Sequence, residues 1–183
     1  MRKLNEVDNN LIYQELCAQG KDVELIDNEI YYSSFTSKTH NKITMRFTAK
    51  IDDFFYKKHC EVYSEQIEVI LDESKVKPDV FVVCSKNEII KTKGESIIIV
   101  PSLIIEVVSK GNASLDTLTK MELYARYGVE EYCLVYQDGS LVQLKLEENL
   151  FRTIKVYERN DIYKSIKFEG LEIDLARVFY DID

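Results

Sequence analysis

The 183-residue sequence has no apolar run near the roughly 20 residues that a membrane-spanning helix needs. Its polar opening, MRKLNEVDNN, lacks the hydrophobic region of a secretory signal. Both absences predict a soluble, cytoplasmic protein with no membrane partner. The four cysteines, Cys17, Cys60, Cys84 and Cys133, form no CxxC pair and have no histidine at zinc-ligand spacing. They are expected to be reduced, mostly buried, small apolar side chains. With only His40 and His59 as partners, a cysteine nucleophile is disfavoured. A basic excess is also missing: 24 Lys and Arg stand against 32 Asp and Glu, a net charge of −8. A protein that grips nucleic acid non-specifically usually presents a basic face, so strong binding of that kind is disfavoured. Local patches such as KKHC and KTKG are still present, and an acidic site for a divalent cation would contribute to the same sign. Finally, no linker, repeat or low-complexity segment divides the chain. It is expected to form one domain over residues 1–183, long enough for a substantial core.

What is present suggests alternating helices and strands. DNNLIYQELCAQG reads as a short helix with Asp8 or Asn9 near its N-cap and a stop at Gly20. DVELIDNEIYYSS suits two short strands around a turn at Asp27-Asn28. Ile43, Phe47, Ile51, Phe54 and Phe55 recur at helical spacing and predict a helix from about Thr39 to Lys57. A strand series follows: EVYSEQIEVIL, one strand or a hairpin, then PDVFVVCS and SIIIVPSLIIEVVS. ASLDTLTKMELYARYG predicts a helix with Ser114 as N-cap and Gly128 just past its end. The remainder reads as three strands, with a turn at Asp138-Gly139, and LEIDLARVF closes as strand or short helix. The class is α/β or α+β with a mixed central sheet. VFVVC and LIIEVV are apolar on both parities, as expected for central strands covered on both faces.

Two acids interrupt those apolar strands. Asp79 shares a strand face with Phe81 and Val83, and Glu106 shares one with Ile104 and Val108. A buried carboxylate must be paired, protonated or metal-bound. A structural ion pair, or a solvent-exposed strand end, would each satisfy that rule. Asp116 and Lys120 stand four apart on the next predicted helix. They form either a surface pair or, with Lys120 reaching back to Glu106, part of a site. Two acids and a lysine at one sheet edge can hold Mg²⁺ and position a water for phosphodiester attack.

The segment from KPDVFVV to EEYCLVY resembles the Uma-type family of putative restriction endonucleases, a branch of the PD-(D/E)xK nuclease superfamily. The likeness rests on Pro78-Asp79, on IIEVVS, on Asp116-x-x-x-Lys120-x-x-x-Tyr124 and on GVEEYCLV. It extends to VELIDNEIYYSS followed by a histidine, and to FEGLEIDLARVF at the end, so it covers nearly the whole chain. The resemblance implies a restriction-endonuclease-like core with additional antiparallel strands. It also implies a metal-dependent endonuclease acting on DNA, with Asp79 and Glu106 as metal carboxylates for Mg²⁺ and with Mn²⁺ able to substitute. The superfamily's usual lysine would fall at Val108, so Lys120 on the helix is the natural replacement. Glu24 would add an N-terminal acid. His40 would contact phosphate or metal, or be a surface histidine at a helix start. A homodimer is a reasonable expectation where two strands are cut. The chain departs from the pattern at Ser109-Lys110-Gly111-Asn112, at Cys133 in place of tryptophan, at Tyr136 and at Asn28. These departures bear on partner and substrate contacts, and leave open a catalytically silent binding or assembly module on the same fold. Tyr124 is read as a core or interface tyrosine rather than a stacking platform. Glu61, Glu65 and Glu68 are read as a solvated strand face.

Overall fold

The computed structural model describes residues 8–33, 37–65, 67–84, 92–109 and 113–182. The N-terminal half runs α1 (Asn9–Ala18), β1 (Val23–Ile26), β2 (Glu29–Tyr32), α2 (Lys38–Phe55), β3 (Cys60–Ser64), β4 (Val69–Leu71) and β5 (Ser74–Val76). Then come β6 (Val80–Cys84), β7 (Thr92–Lys93), β8 (Ser96–Ile97), β9 (Leu103–Val108), a π-helical turn (Leu115–Thr119) and α3 (Lys120–Tyr127). The chain closes with β10 (Glu131–Tyr136), β11 (Leu141–Glu147), β12 (Leu150–Tyr157), β13 (Ile162–Lys164), β14 (Glu172–Asp174) and α4 (Leu175–Val178).

The main sheet has the order β12-β11-β10-β9-β6-β3. It is mixed: β9 and β10 are parallel, and the other neighbours are antiparallel. A parallel pair needs a crossover, and α3 supplies it. β6 and β9 lie inside the sheet and are buried along nearly their whole length, as their two-sided apolar pattern requires. On one face Ile43, Phe47, Ile51 and Phe55 of α2 pack against Val80, Val82, Leu103, Ile105 and Val107, together with the C-terminal β13, β14 and α4. On the other face Leu123 and Tyr124 of α3, with Val69 and Val76, cover Phe81, Ile104 and Val108. The second sheet, order β2-β1-β5-β4-β8-β7, lies on that side. Among the described residues no helix is long and apolar enough to cross a membrane.

Several boundaries differ from the sequence reading, each for a physical reason. α1, capped by Asp8, buries Tyr13 against Val23 and Leu25 of β1, which leaves Leu11 and Ile12 on the exposed face. α2 starts at Lys38, one residue before Thr39, because Ser37 is its cap: the Ser37 side chain accepts from the His40 N–H at 3.0 Å. EVYSEQIEVIL is neither one strand nor a hairpin: β3 joins the main sheet and β4 the second. SIIIVPSLIIEVVS likewise splits into β8 and β9. The Ser114 side chain makes no cap bond, because its backbone is already helical ahead of the π-helical turn. LEIDLARVF is both strand and helix, and β13 pairs with β14.

The cysteine expectation is corrected. Cys60 and Cys84 are register partners on β3 and β6, and they form a disulfide. Their sequence separation of 24 hid a contact that only strand order creates. Cys17 is free and exposed, and Cys133 is free and buried. The altered loop at residues 110–112, and the side chains of residues 91–93 in the KTKG patch, lie outside the described residues.

Candidate active site

β6 and β9 are antiparallel neighbours, with Val80 opposite Ile105. Asp79, just before β6, therefore stands beside Glu106 in the middle of β9. The Asp79 N–H donates to Glu106 Oε2 at 3.1 Å, and the Val107 N–H donates to Asp79 Oδ2 at 2.7 Å. Backbone hydrogen bonds thus fix both carboxylates to the sheet.

Lys120 opens α3 directly after the π-helical turn, its N–H bonding back to the Leu115 carbonyl. Wide turns of this kind recur at functional sites. Here the turn carries Asp116 and Lys120 inward, and the Tyr132 hydroxyl donates to the Asp116 carbonyl at 2.8 Å. Lys120 Nζ lies 3.1 Å from Glu106 Oε1, 3.1 Å from Glu24 Oε1 and 3.7 Å from Asp116 Oδ1. Lys120 is 4 % exposed and Asp116 5 %, which excludes the surface-pair reading. The Tyr124 hydroxyl donates to Glu106 Oε1 at 3.0 Å, so this tyrosine is a core residue with its polar atom satisfied. Glu24 on β1 accepts from the Lys77 N–H at 2.6 Å, which ties the second sheet to the site.

The electrostatics are unbalanced. Glu24, Asp79, Glu106 and Asp116 are four carboxylates grouped around one ammonium. Burial pushes Glu106 well above the usual carboxylate range; Lys120 pulls it down, and Asp79, Asp116 and Glu24 push it back up. Burial likewise lifts Asp116 to about 7, opposed by Lys120. Burial alone would lower Lys120, but Glu106, Glu24 and Asp116 hold it well above its ordinary value. Lys120 is therefore firmly charged, and the carboxylates compete for its charge.

His40, in the first turn of α2, places Nε2 3.0 Å from Asp79 Oδ2. It is 8 % exposed, so it is not a surface histidine. Burial lowers its pKa, but the Asp79 hydrogen bond and the charges of Asp79, Glu65 and Asp116 outweigh that and leave it raised. All six residues singled out from the sequence, Glu24, His40, Asp79, Glu106, Asp116 and Lys120, are thus brought into one constellation.

Glu65 was not expected there. Of the three acids read as a solvated face, Glu61 accepts from the Tyr63 hydroxyl and Glu68 accepts from Tyr13 and Ser96. Glu65 instead sits with Oε1 3.6 Å from His40 Nδ1. Its signal is the β3–β6 register, in which Ser64 faces Val80, and that pairing is invisible in the sequence.

The donor chemistry fits a divalent cation. Oxygen ligands in excess of the available positive charge leave a negative cluster that a cation would offset. Asp79 is the most accessible of the four acids, its side chain 18 % exposed, against 4 % for Glu24, 2 % for Glu106 and 8 % for Asp116.

A family model described as "Uma2: Putative restriction endonuclease" matches residues 12–177. Among solved structures, a "putative nuclease belonging to DUF820" from Anabaena variabilis superposes with a TM-score of 0.71 at 15 % sequence identity. The match covers 86 % of this chain and 89 % of that one. At that identity the likeness establishes the fold, a restriction-endonuclease-like mixed sheet flanked by helices. No curated protein matches the chain significantly.

Proposed function

This chain belongs to the Uma2 putative restriction endonuclease family, and on that premise we propose that it is a metal-dependent endonuclease that hydrolyses phosphodiester bonds in DNA. One observation carries the reading: Asp79 at the start of β6 and Lys120 at the start of α3 converge on Glu106 of β9, through the Asp79 N–H and Lys120 Nζ, each 3.1 Å from the Glu106 carboxylate. Asp79 and Glu106 would hold Mg²⁺, with Mn²⁺ able to substitute, since oxygen donors suit both ions. When bound, such a cation supplies Lewis acidity and lowers the pKa of its water. The protein's own residues do the rest. Lys120 stays protonated, so it is no general base; it stabilises negative charge developing on the phosphoryl group. Glu24 and Asp116 are positioning residues for Lys120, and Tyr124 for Glu106. His40 orients Asp79 through its 3.0 Å contact.

The purified protein is expected to cut DNA with Mg²⁺ and to stop with EDTA. Asp79→Ala and Glu106→Ala should each lower the rate by about 100-fold or more. Full cleavage by both variants would overturn the site assignment. A second reading, a nuclease-fold binding or assembly module without catalysis, draws on the burial of Glu106, whose carboxylate already accepts from Lys120, Tyr124 and the Asp79 N–H. It expects DNA or protein binding with no cleavage under any divalent cation. We also read residues 1–183 as one cytoplasmic domain that pairs as a homodimer to reach two strands. Sedimentation of a single monomeric species at working concentration would refute the dimer.

A further inference from the structure

The Glu65 carboxylate has an environment unlike that of its neighbours. Its N–H donates to the Asp79 carbonyl at 3.1 Å, which brings Glu65 to the start of β6. Its Oε1 is shielded from solvent and accepts no hydrogen bond from the described residues. His40 Nδ1, at 3.6 Å, is beyond hydrogen-bond range. Glu24, Asp79 and Glu106, by contrast, each accept at least one backbone N–H. A shielded carboxylate oxygen without a donor is costly and requires an explanation.

The imidazole of His40 stands between two carboxylates, Nε2 toward Asp79 and Nδ1 toward Glu65. One ligand atom from each of the three residues lies within 4.8 Å of the others. Three donors that share one ion at about 2.1 Å lie about 3.0–3.6 Å apart, so the His40–Asp79 pair already has that spacing at 3.0 Å and a bound ion would draw Glu65 inward by about 1–2 Å at most. A hollow of about 310 Å³ along α2, whose lining mixes polar Asn41, Thr44 and Asp52 with apolar Met45 and Ala49, reaches Glu65 and opens that side of the group to solvent.

We propose that His40, Glu65 and Asp79 form a divalent-cation subsite of mixed nitrogen and oxygen donors, which takes a first-row transition ion in preference to Mg²⁺. Mg²⁺ is reluctant to exchange its oxygen shell, whereas an imidazole nitrogen suits transition ions. The subsite shares Asp79 with the Glu106 side of the candidate active site, and its catalytic meaning rests on the nuclease reading. Its existence does not, because cation binding is measurable without cleavage.

The test is Mn²⁺ binding to the full chain, followed by electron paramagnetic resonance, with Mg²⁺ as competitor. The wild type should bind Mn²⁺ at least about tenfold more tightly than Mg²⁺, with nitrogen modulation in the spin echo from a directly bound imidazole. Glu65→Gln, at a partly exposed position that should fold, should weaken Mn²⁺ at least about tenfold. His40→Asn should abolish the nitrogen modulation, and Glu106→Gln should retain it. Absence of nitrogen modulation in the wild type would overturn the proposal. So would Mn²⁺ affinity that is unchanged by Glu65→Gln but lost in Glu106→Gln. Intact nitrogen-coordinated Mn²⁺ binding without DNA cleavage would sink the nuclease reading and leave this subsite standing.

Discussion

Replacing Lys120 by methionine keeps most of the side-chain volume and removes one charge from a site crowded with carboxylates. Three buried carboxylates, Glu24, Glu106 and Asp116, then lose their common partner, whose Nζ lies 3.1, 3.1 and 3.7 Å away. Removing one partner of a buried ion pair typically costs about 3–5 kcal/mol. Net stabilities are only about 5–15 kcal/mol, so the variant should be visibly weakened. The loss should depend on pH, and its sign follows from the carboxylates. Asp116 is lifted from 3.8 to about 7, mainly by burial. That shift corresponds to about 4 kcal/mol. The contribution is fully present below about pH 4, where Asp116 is protonated in both folded and unfolded chains. It is lost as pH rises through about 7, where the folded form must give up its proton. Glu106 is shifted in the same direction. Lys120 lowers both groups, so its removal raises both further and steepens the decline. Urea unfolding followed by far-UV circular dichroism at pH 5 and pH 8 measures the effect. Lys120→Met should cost about 3–5 kcal/mol at pH 8 and clearly less at pH 5. Equal urea midpoints for variant and wild type at pH 8, or a penalty that does not change with pH, would refute the reasoning.

Three further outcomes are expected. Tyr124→Phe removes the 3.0 Å hydrogen bond to Glu106 Oε1 and should lower stability by about 1.5–3 kcal/mol in the same urea assay. Reduction of Cys60–Cys84, which closes a loop of 24 residues, should cost about 3 kcal/mol; under denaturing conditions two thiols should react before reduction and four after it. Glu131→Ala should cost about 3 kcal/mol or more, read as a fall in thermal midpoint, because it removes the carboxylate acceptor of buried Gln143 Nε2 and Tyr163 OH and of half-buried Ser165 Oγ and the Lys167 N–H, now 2.6, 2.7, 2.6 and 3.0 Å from that carboxylate.

The fold was legible where one periodicity dominates. α2 carries its buried apolar residues at 43, 47, 51 and 55, and the structure differs from the expected helix only by a residue or two at each end. β6 and β9 were legible because only interior strands are apolar on both faces. Legibility failed where strands are short and exchange sheets. Within SIIIVPSLIIEVVS only Pro101-Ser102 separates two apolar stretches, yet β8 pairs with β4 and β9 with β10 and β6. Pattern reports burial and is silent about which sheet does the burying. The disulfide failed for the same reason, since Cys60 and Cys84 become neighbours only through the β3–β6 register.

The site divides along the same line. Asp79 and Glu106 stood out because a carboxylate on an apolar strand face demands compensation, wherever the compensating group comes from. Lys120 and Asp116 stood out because four-residue spacing survives the local change from α- to π-helical turn. Glu65 did not, because nothing in its own neighbourhood is unusual: it follows a strand, β3, whose one acid is the exposed Glu61 and whose other residues are half-buried. What makes it distinctive is non-local. The pairing of β3 with β6 turns an ordinary surface acid toward Asp79, and α2 brings His40 between them. A residue whose role is created by register can be found only by asking which buried polar atoms the assembled fold leaves without partners, and among the described residues that question returns Glu65 Oε1.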